Sequence, residues 1–193
     1  MGPTTPARSH RTFRSGADRL VTRLHRQRLS QGEKGGELTG PNPTDRGKPG
    51  TKYHLLVDAT GLVLHTLLSP ANTHDSVLFE PLLETNPAVR GHRNRPGRPR
   101  RRPEKLHADK GYDYPRCRRY LHQRGIKVRI ARRTVESSNH LGRVRWVVER
   151  TISWLLRFKR LGLRYDRTQP TLRPLLTLAC VLINLRRLLQ KKF

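Results

Sequence analysis

Asp109 ends the short strand read over Lys105–Ala108 and opens a glycine turn, in the run HADKGYD. Glu149 lies in RWVVERTISWL, with Arg145 one helical turn before it and Ser153 one turn after. A carboxylate at the end of a strand projects into the crevice where ligands bind in α/β folds. Glu149 neighbours an apolar stripe of Val148, Ile152 and Leu155, which places it beside the core-facing side of a helix and in need of a cationic partner. Hard divalent ions take one or two carboxylates together with phosphate oxygens and water. Two such ions roughly 4 Å apart stabilise the attacking and leaving oxygens of phosphodiester cleavage. The same residues also have a purely structural reading, in which Glu149 pairs with Arg145 and Asp109 caps a turn. Spacing alone favours that reading.

The elements that must position these acids are legible in outline. KYHLLVD (Lys52–Asp58) reads as a buried strand, DATG as a turn and LVLHTLLSP as the returning strand of an antiparallel hairpin. Asn72, Thr73, His74 and Asp75 offer N-caps for a helix over SVLFEPLLE, which Pro81 shortens. A strand over Lys105–Ala108 is followed by a helix over PRCRRYLHQRG, with Pro115 in its first turn and Gly125 at its stop. IKVRIARR alternates, with Ile126, Val128 and Ile130 on one face. VESSNHLG reads as a loop, Val144–Leu161 as a long helix, and Pro174–Leu189 as a helix apolar nearly all round and therefore buried. The order predicts a mixed sheet flanked by helices.

Charge narrows the partners. The 193 residues hold 41 Lys and Arg against 14 Asp and Glu, a net charge of +27. Self-repulsion on that scale calls for a polyanion, and a phosphate backbone is the natural one. Arg greatly outnumbers Lys, as a GC-rich genome would also favour. The basic stretch Val89–Pro103, VRGHRNRPGRPRRRP, contains no acid and reads as a loop along a DNA flank. Cys117 and Cys180 have no metal or redox spacing, which points to a reduced, cytoplasmic compartment. The longest apolar run, Leu175–Leu185, is too short to span a bilayer, so no membrane partner is expected. Residues 1–34 read as a basic, flexible arm, with a short helix available over Asp18–Leu29; residues 35–193 read as the folded domain.

Several blocks together resemble the DDE transposases of bacterial insertion sequences, in the branch numbered four and five. They are GGELTGPNPTDRGKPGTKYHLLVDATGLVL, NTHD, RGHRNRPGRPRRRPEKLHADKGYD, IARR and RVRWVVERTISWLLRFKRL, covering roughly Gly35 to Leu188. The resemblance implies an RNase H-like fold and Mg²⁺ (or Mn²⁺) chemistry on double-stranded DNA, at element ends and target. It implies that Asp109 and Glu149 are the second and third catalytic metal ligands, and that Arg145 matches the family's arginine. The tyrosine often found before that arginine is replaced by Gly142. The first aspartate, expected on a strand shortly before Gly35–Gly36, is missing from RLHRQRLSQGEKGG. Asp18 is too far upstream, Asp45 falls in a loop, and Asp58 matches a hairpin-turn position. The chain is therefore expected to be a truncated or frame-disrupted copy that lacks or alters the fold's first strand and the family's N-terminal DNA-binding region.

Lys110, Arg157, Lys159 and Arg160, with Arg145, are the candidate DNA contacts beside the acids. Trp146 and Trp154 are expected in the core, and His54, His65 and His74 receive no role. Three functions compete: a DDE transposase cutting and joining DNA in a nucleoid-associated setting, with a homodimer on DNA; a non-catalytic DNA-binding remnant; and a basic RNA-binding protein of the ribosomal kind. The long apolar C-terminal helices argue against the third.

Overall fold

The computed structural model describes residues 20–28, 36–43, 46–88, 99, 101–132 and 138–190, with side chains outside 20–28 and 138–145. Most of the expected basic loop at 89–103, and Asp18 and Asp45, lie outside the described residues. Strand β1 (Leu20–Arg28) is followed by a two-residue strand β2 (Gly40–Pro41), the hairpin β3 (Pro49–Asp58) and β4 (Val63–Pro70), and helix α1 (Phe79–Glu84). Then come β5 (Lys105–Ala108), α2 (Pro115–Gln123), β6 (Lys127–Ile130), α3 (Ser138–Leu156), α4 (Lys159–Gly162) and α5 (Gln169–Gln190).

The sheet runs β2-β3-β1-β5-β6, with β4 on β3. β3 is antiparallel to both β1 and β4, while β1, β5 and β6 run parallel to one another. The fold is thus the RNase H-like mixed sheet flanked by helices that the resemblance implied. One face carries Tyr53, Leu55 and Val57 against Val148, Ile152 and Leu155 of α3 and Leu172, Leu176, Ala179 and Ile183 of α5. The other carries Leu56, Leu106 and Ala108 against Phe79 and Leu82 of α1 and Cys117 and Leu121 of α2. Alternation along β3 feeds both clusters, as a strand buried on two faces must.

Local signals set several boundaries. Asp58 Oδ1 accepts from Thr60 N, Thr60 Oγ1 and Leu62 N, which closes the β3–β4 turn and leaves Asp58 a structural acid, as expected. Gly61 in that turn has φ +88, a backbone conformation that only glycine adopts freely. α2 begins at Pro115 and is followed by Gly125 at φ +62, as the sequence predicts.

Four expectations need correction. No first strand is missing: LVTRLHRQR is not a helix or a flexible arm but β1, a strand paired on both sides. Pairing with β3 along its whole length outweighs a weak helical pattern. α3 starts at Ser138, inside the stretch read as a loop, and ends at Leu156, where Phe158 turns the chain into α4. α5 is buried on one side only, since Leu178, Val181, Leu185 and Leu188 are each at least half exposed. It lies over the sheet without a further layer outside it, among the described residues. Finally, Trp146 is 49% exposed and is not a core residue.

Candidate active site and nucleic-acid interface

Asp109 immediately follows β5 and keeps extended backbone, φ −73 and ψ 166, before the 3₁₀ turn Lys110–Tyr112. Leu106 and Ala108 face the α1/α2 layer. Strand alternation therefore turns His107 and Asp109 toward the opposite face, the one α3 covers. α3 packs on β1, and β1 is the parallel neighbour of β5. One strand thus lies between the two elements that carry Asp109 and Glu149. Asp109 is half-buried, and Glu149 is exposed although Val147 and Val148 beside it are buried. Glu149 is consequently on the open rim of α3, not sheltered beside its core stripe as the periodicity predicted.

In the backbone register of the two parallel strands, Thr22 pairs with Ala108, the residue before Asp109. No residue of LVTRLHRQR is acidic. Among the described residues, no group of three or more His, Cys, Asp or Glu side chains could hold a metal ion. Two carboxylates suit a hard cation in type, but the described set falls short of the three-acid arrangement in number.

The other predicted contacts are dispersed. Lys110 is half-buried in the turn after Asp109, and Arg145 is on α3, its side chain outside the described ones. Arg157 and Lys159 are exposed. Arg160 is committed to Asp166 at 2.7 Å. That pair makes Arg160 a less available phosphate contact than its place in the sequence suggested.

Sequence reasoning missed a polar cluster behind Asp109. Lys52, only 5% exposed, donates to Asp75 Oδ1 at 2.8 Å and to Thr73 O at 2.6 Å. A Cβ on Gly111 would stand 3.3 Å from Asp75 Oδ2, so Asp75 abuts the turn that follows Asp109. His54, fully buried, bonds Ser69 at 2.7 Å, and burial pulls its pKa down to about 4. Tyr112 is buried with its hydroxyl lacking a partner, and burial raises its pKa well above the ordinary value. The NTHD motif was the available signal: His74 caps the 3₁₀ turn Asp75–Leu78, and Asp75 reaches back to β3.

A second missed residue, Arg164, is 4% exposed. Its guanidinium donates to Asp166 O, Thr39 Oγ1, Thr51 Oγ1, Glu37 O and Arg167 O. Glu37 Oε2 in turn accepts from Gln169 N at the start of α5, where an acid is favoured. Gly36 allows this approach, because a Cβ there would meet Arg167 O at 2.3 Å. Residues 36–39 therefore form a clasp holding the α4–α5 connection to β3, and Gly36 is its sequence signal.

The profile of the family described as "Transposase DDE domain" matches residues 10–185. A candidate transposase for insertion sequence element IS402 of Burkholderia cepacia is 43% identical over 183 residues, covering 95% of this chain and 85% of that protein. The chain belongs to the DDE-domain transposase family. Among solved structures, the crystallised catalytic core domain of BIV integrase is similar at 14% identity and a TM-score of 0.43, over 83% of this chain and 80% of that one.

Proposed function

We propose that the chain acts on double-stranded DNA as a transposase-type protein whose element-end cleavage is weak or absent. The observation that carries this reading is the placement of Asp109 at the end of β5, turned toward the face covered by the helix that bears Glu149. Family membership supports DNA transposition as the process, and a net charge of +27 supports a polyanionic partner. Asp109 and Glu149 would hold Mg²⁺ or Mn²⁺ and serve as catalytic acids. The bound ion would supply charge stabilisation at the scissile phosphate. Lys110, Arg145, Arg157 and Lys159 would grip phosphates on either side, with Arg160 contributing once released from Asp166. With no acid in LVTRLHRQR, that ion would be one carboxylate short of the three-acid set. A homodimer on DNA and a nucleoid-associated cytoplasmic location belong to the same reading. Among the described residues, no helix is long and apolar enough to cross a membrane.

A non-catalytic DNA-binding remnant is the second reading, and the acid-free β1 favours it. Mg²⁺-dependent nicking of element-end DNA separates the two. The expected result is little or no nicking by the wild-type chain. Weak nicking that Asp109→Asn and Glu149→Gln both abolish would support the transposase reading, none at all would leave the remnant, and robust nicking would overturn both.

A further inference from the structure

Three side chains along one edge of α3, Trp146, Arg150 and Trp154, follow each other at four-residue spacing. The Arg150 guanidinium lies 4.1 Å from the Trp146 ring centroid and 4.9 Å from that of Trp154. Arg187, from α5, lies 5.4 Å from the same Trp154 ring. The result is a ladder of alternating indoles and guanidiniums across two helices. Each contact is favourable by itself, because a guanidinium is attracted to the face of an indole.

The ladder leaves cationic hydrogen-bond donors unused. Arg150 Nε and Arg187 Nη1 are buried and have no hydrogen-bond partner. Both groups are partly desolvated, and Arg187 bears on Arg150 as a like charge. Both also press on the β3–β4 turn, where a Cβ at Gly61 would stand 2.9 Å from Arg187 Nη1 and 3.3 Å from Arg150 Nη2. Asp58 is the acid whose charge reaches Arg187. Its Oδ1, however, is already occupied by three donors of the turn. Stacking and the β3–β4 turn explain where the guanidiniums sit, but not what balances their charge.

A cavity of about 380 Å³ opens at the Arg187 end of the ladder. Trp154, Phe158 and Ile183 form its apolar floor, and Arg157, Arg186 and Arg187 its rim. No acid lines it. The planar fork of arginine matches the oxygens of a phosphate, and a partly desolvated site strengthens each charge-assisted bond. Arg157 lies eight residues beyond Glu149 on the chain, and the helix between them rises about 12 Å. A DNA strand passing Glu149 therefore reaches the cavity within a few nucleotides.

We propose that the Arg150–Arg187 ladder and the cavity between α3 and α5 form a binding site for the phosphodiester backbone of DNA. The proposal rests on the DNA-handling reading above, but it requires no cleavage. It assigns Arg150, Arg186 and Arg187 to DNA binding, and it gives the exposed Trp146 the work of fixing a guanidinium.

The test uses the full chain and a built-in reporter, since Trp146 and Trp154 are its only two tryptophans. A labelled duplex oligonucleotide is titrated while anisotropy follows binding and tryptophan emission follows the ladder. Emission should change in step with anisotropy and recover as salt releases the DNA. Inorganic phosphate at matched anion concentration should change it far less. In the double variant R150Q/R187Q, binding at low salt should weaken roughly tenfold, and the slope of log K against log salt should fall by about 1 to 2. The variant R150K/R187K should keep the slope, because it keeps the charge. DNA binding with silent tryptophans, an unchanged slope in a folded R150Q/R187Q chain, or an equal response to inorganic phosphate would each overturn the site. Should R150Q/R187Q fail to fold, the wild-type emission still decides. An absence of DNA binding by anisotropy would instead remove the DNA-handling reading, and this site with it.

Discussion

Lys52 Nζ stands 2.8 Å from Asp75 Oδ1, and the other oxygen of Asp75 abuts Gly111, two residues beyond Asp109. A residue of the hairpin and a residue of the NTHD motif thus jointly fix the turn that carries the candidate second acid. Removing one member strands the other in a poorly solvated place, at a cost of about 3 kcal/mol. We expect Asp75→Asn and Lys52→Met each to lower the urea midpoint, with the double variant recovering part of the loss. Fully additive losses in this double-mutant cycle would show that the two residues act independently.

The buried His54 gives stability a pH dependence of definite sign. Its folded pKa of about 4 lies below the unfolded value of 6.5, so the unfolded chain binds more protons between the two. This contribution is complete above pH 6.5 and is lost as the pH falls toward 4, amounting to about 3 kcal/mol. Urea unfolding at a series of pH values should therefore show a fall across that window, and the fall should be shallower in His54→Gln. Equal slopes in both chains would remove His54 as the cause.

Arg164 should be among the costliest residues to truncate. Its five acceptors lie on three separate stretches of chain, and Arg164→Ala would leave several of them unsatisfied in a buried place. A loss of about 3 to 5 kcal/mol is expected. Arg164→Lys should recover little of it, because an ammonium cannot reproduce the planar fork. Thermal unfolding of both variants checks this, and a Lys variant as stable as wild type would contradict it.

The backbone pairing of Thr22 with Ala108, each one residue before Arg23 and Asp109, invites a gain-of-function test. In Arg23→Asp, a carboxylate would join Asp109 at the head of the parallel pair. Mg²⁺ should then raise the melting temperature by on the order of 2 to 4 °C more than in wild type. A folded variant whose melting is indifferent to Mg²⁺ would show that position 23 is not where the missing ligand belongs.

These relationships divide by how local their causes are. The hairpin, β5, α2 and β6 are readable because their apolar period and their turn residues, such as Asp58, Pro115 and Gly125, lie within the elements themselves. β1 is not readable, since LVTRLHRQR carries three arginines and becomes a strand through its two neighbours. The Arg164 fork joins residues more than a hundred positions apart, which no local pattern encodes. At the site, the sequence places Asp109 at a strand end, as found. It puts Glu149 too close to the core, because a stripe of Val148, Ile152 and Leu155 leaves the neighbouring position undecided between shelter and solvent.

The two apolar clusters also fix an order of events on the ribosome. Every element seen to line the α1/α2 face, from β3 to β6, has been synthesised once Ile130 emerges. Tyr53, Leu55 and Val57 on the opposite face must wait for residues 138–190 to cover them. Domains form from the N-terminus during synthesis, and transiently bare apolar surface invites aggregation. A nascent chain of this protein therefore passes through a stage with one finished side and one greasy, unfinished side. Glu149 arrives with the cover, so the half-built molecule holds Asp109 without its distant counterpart.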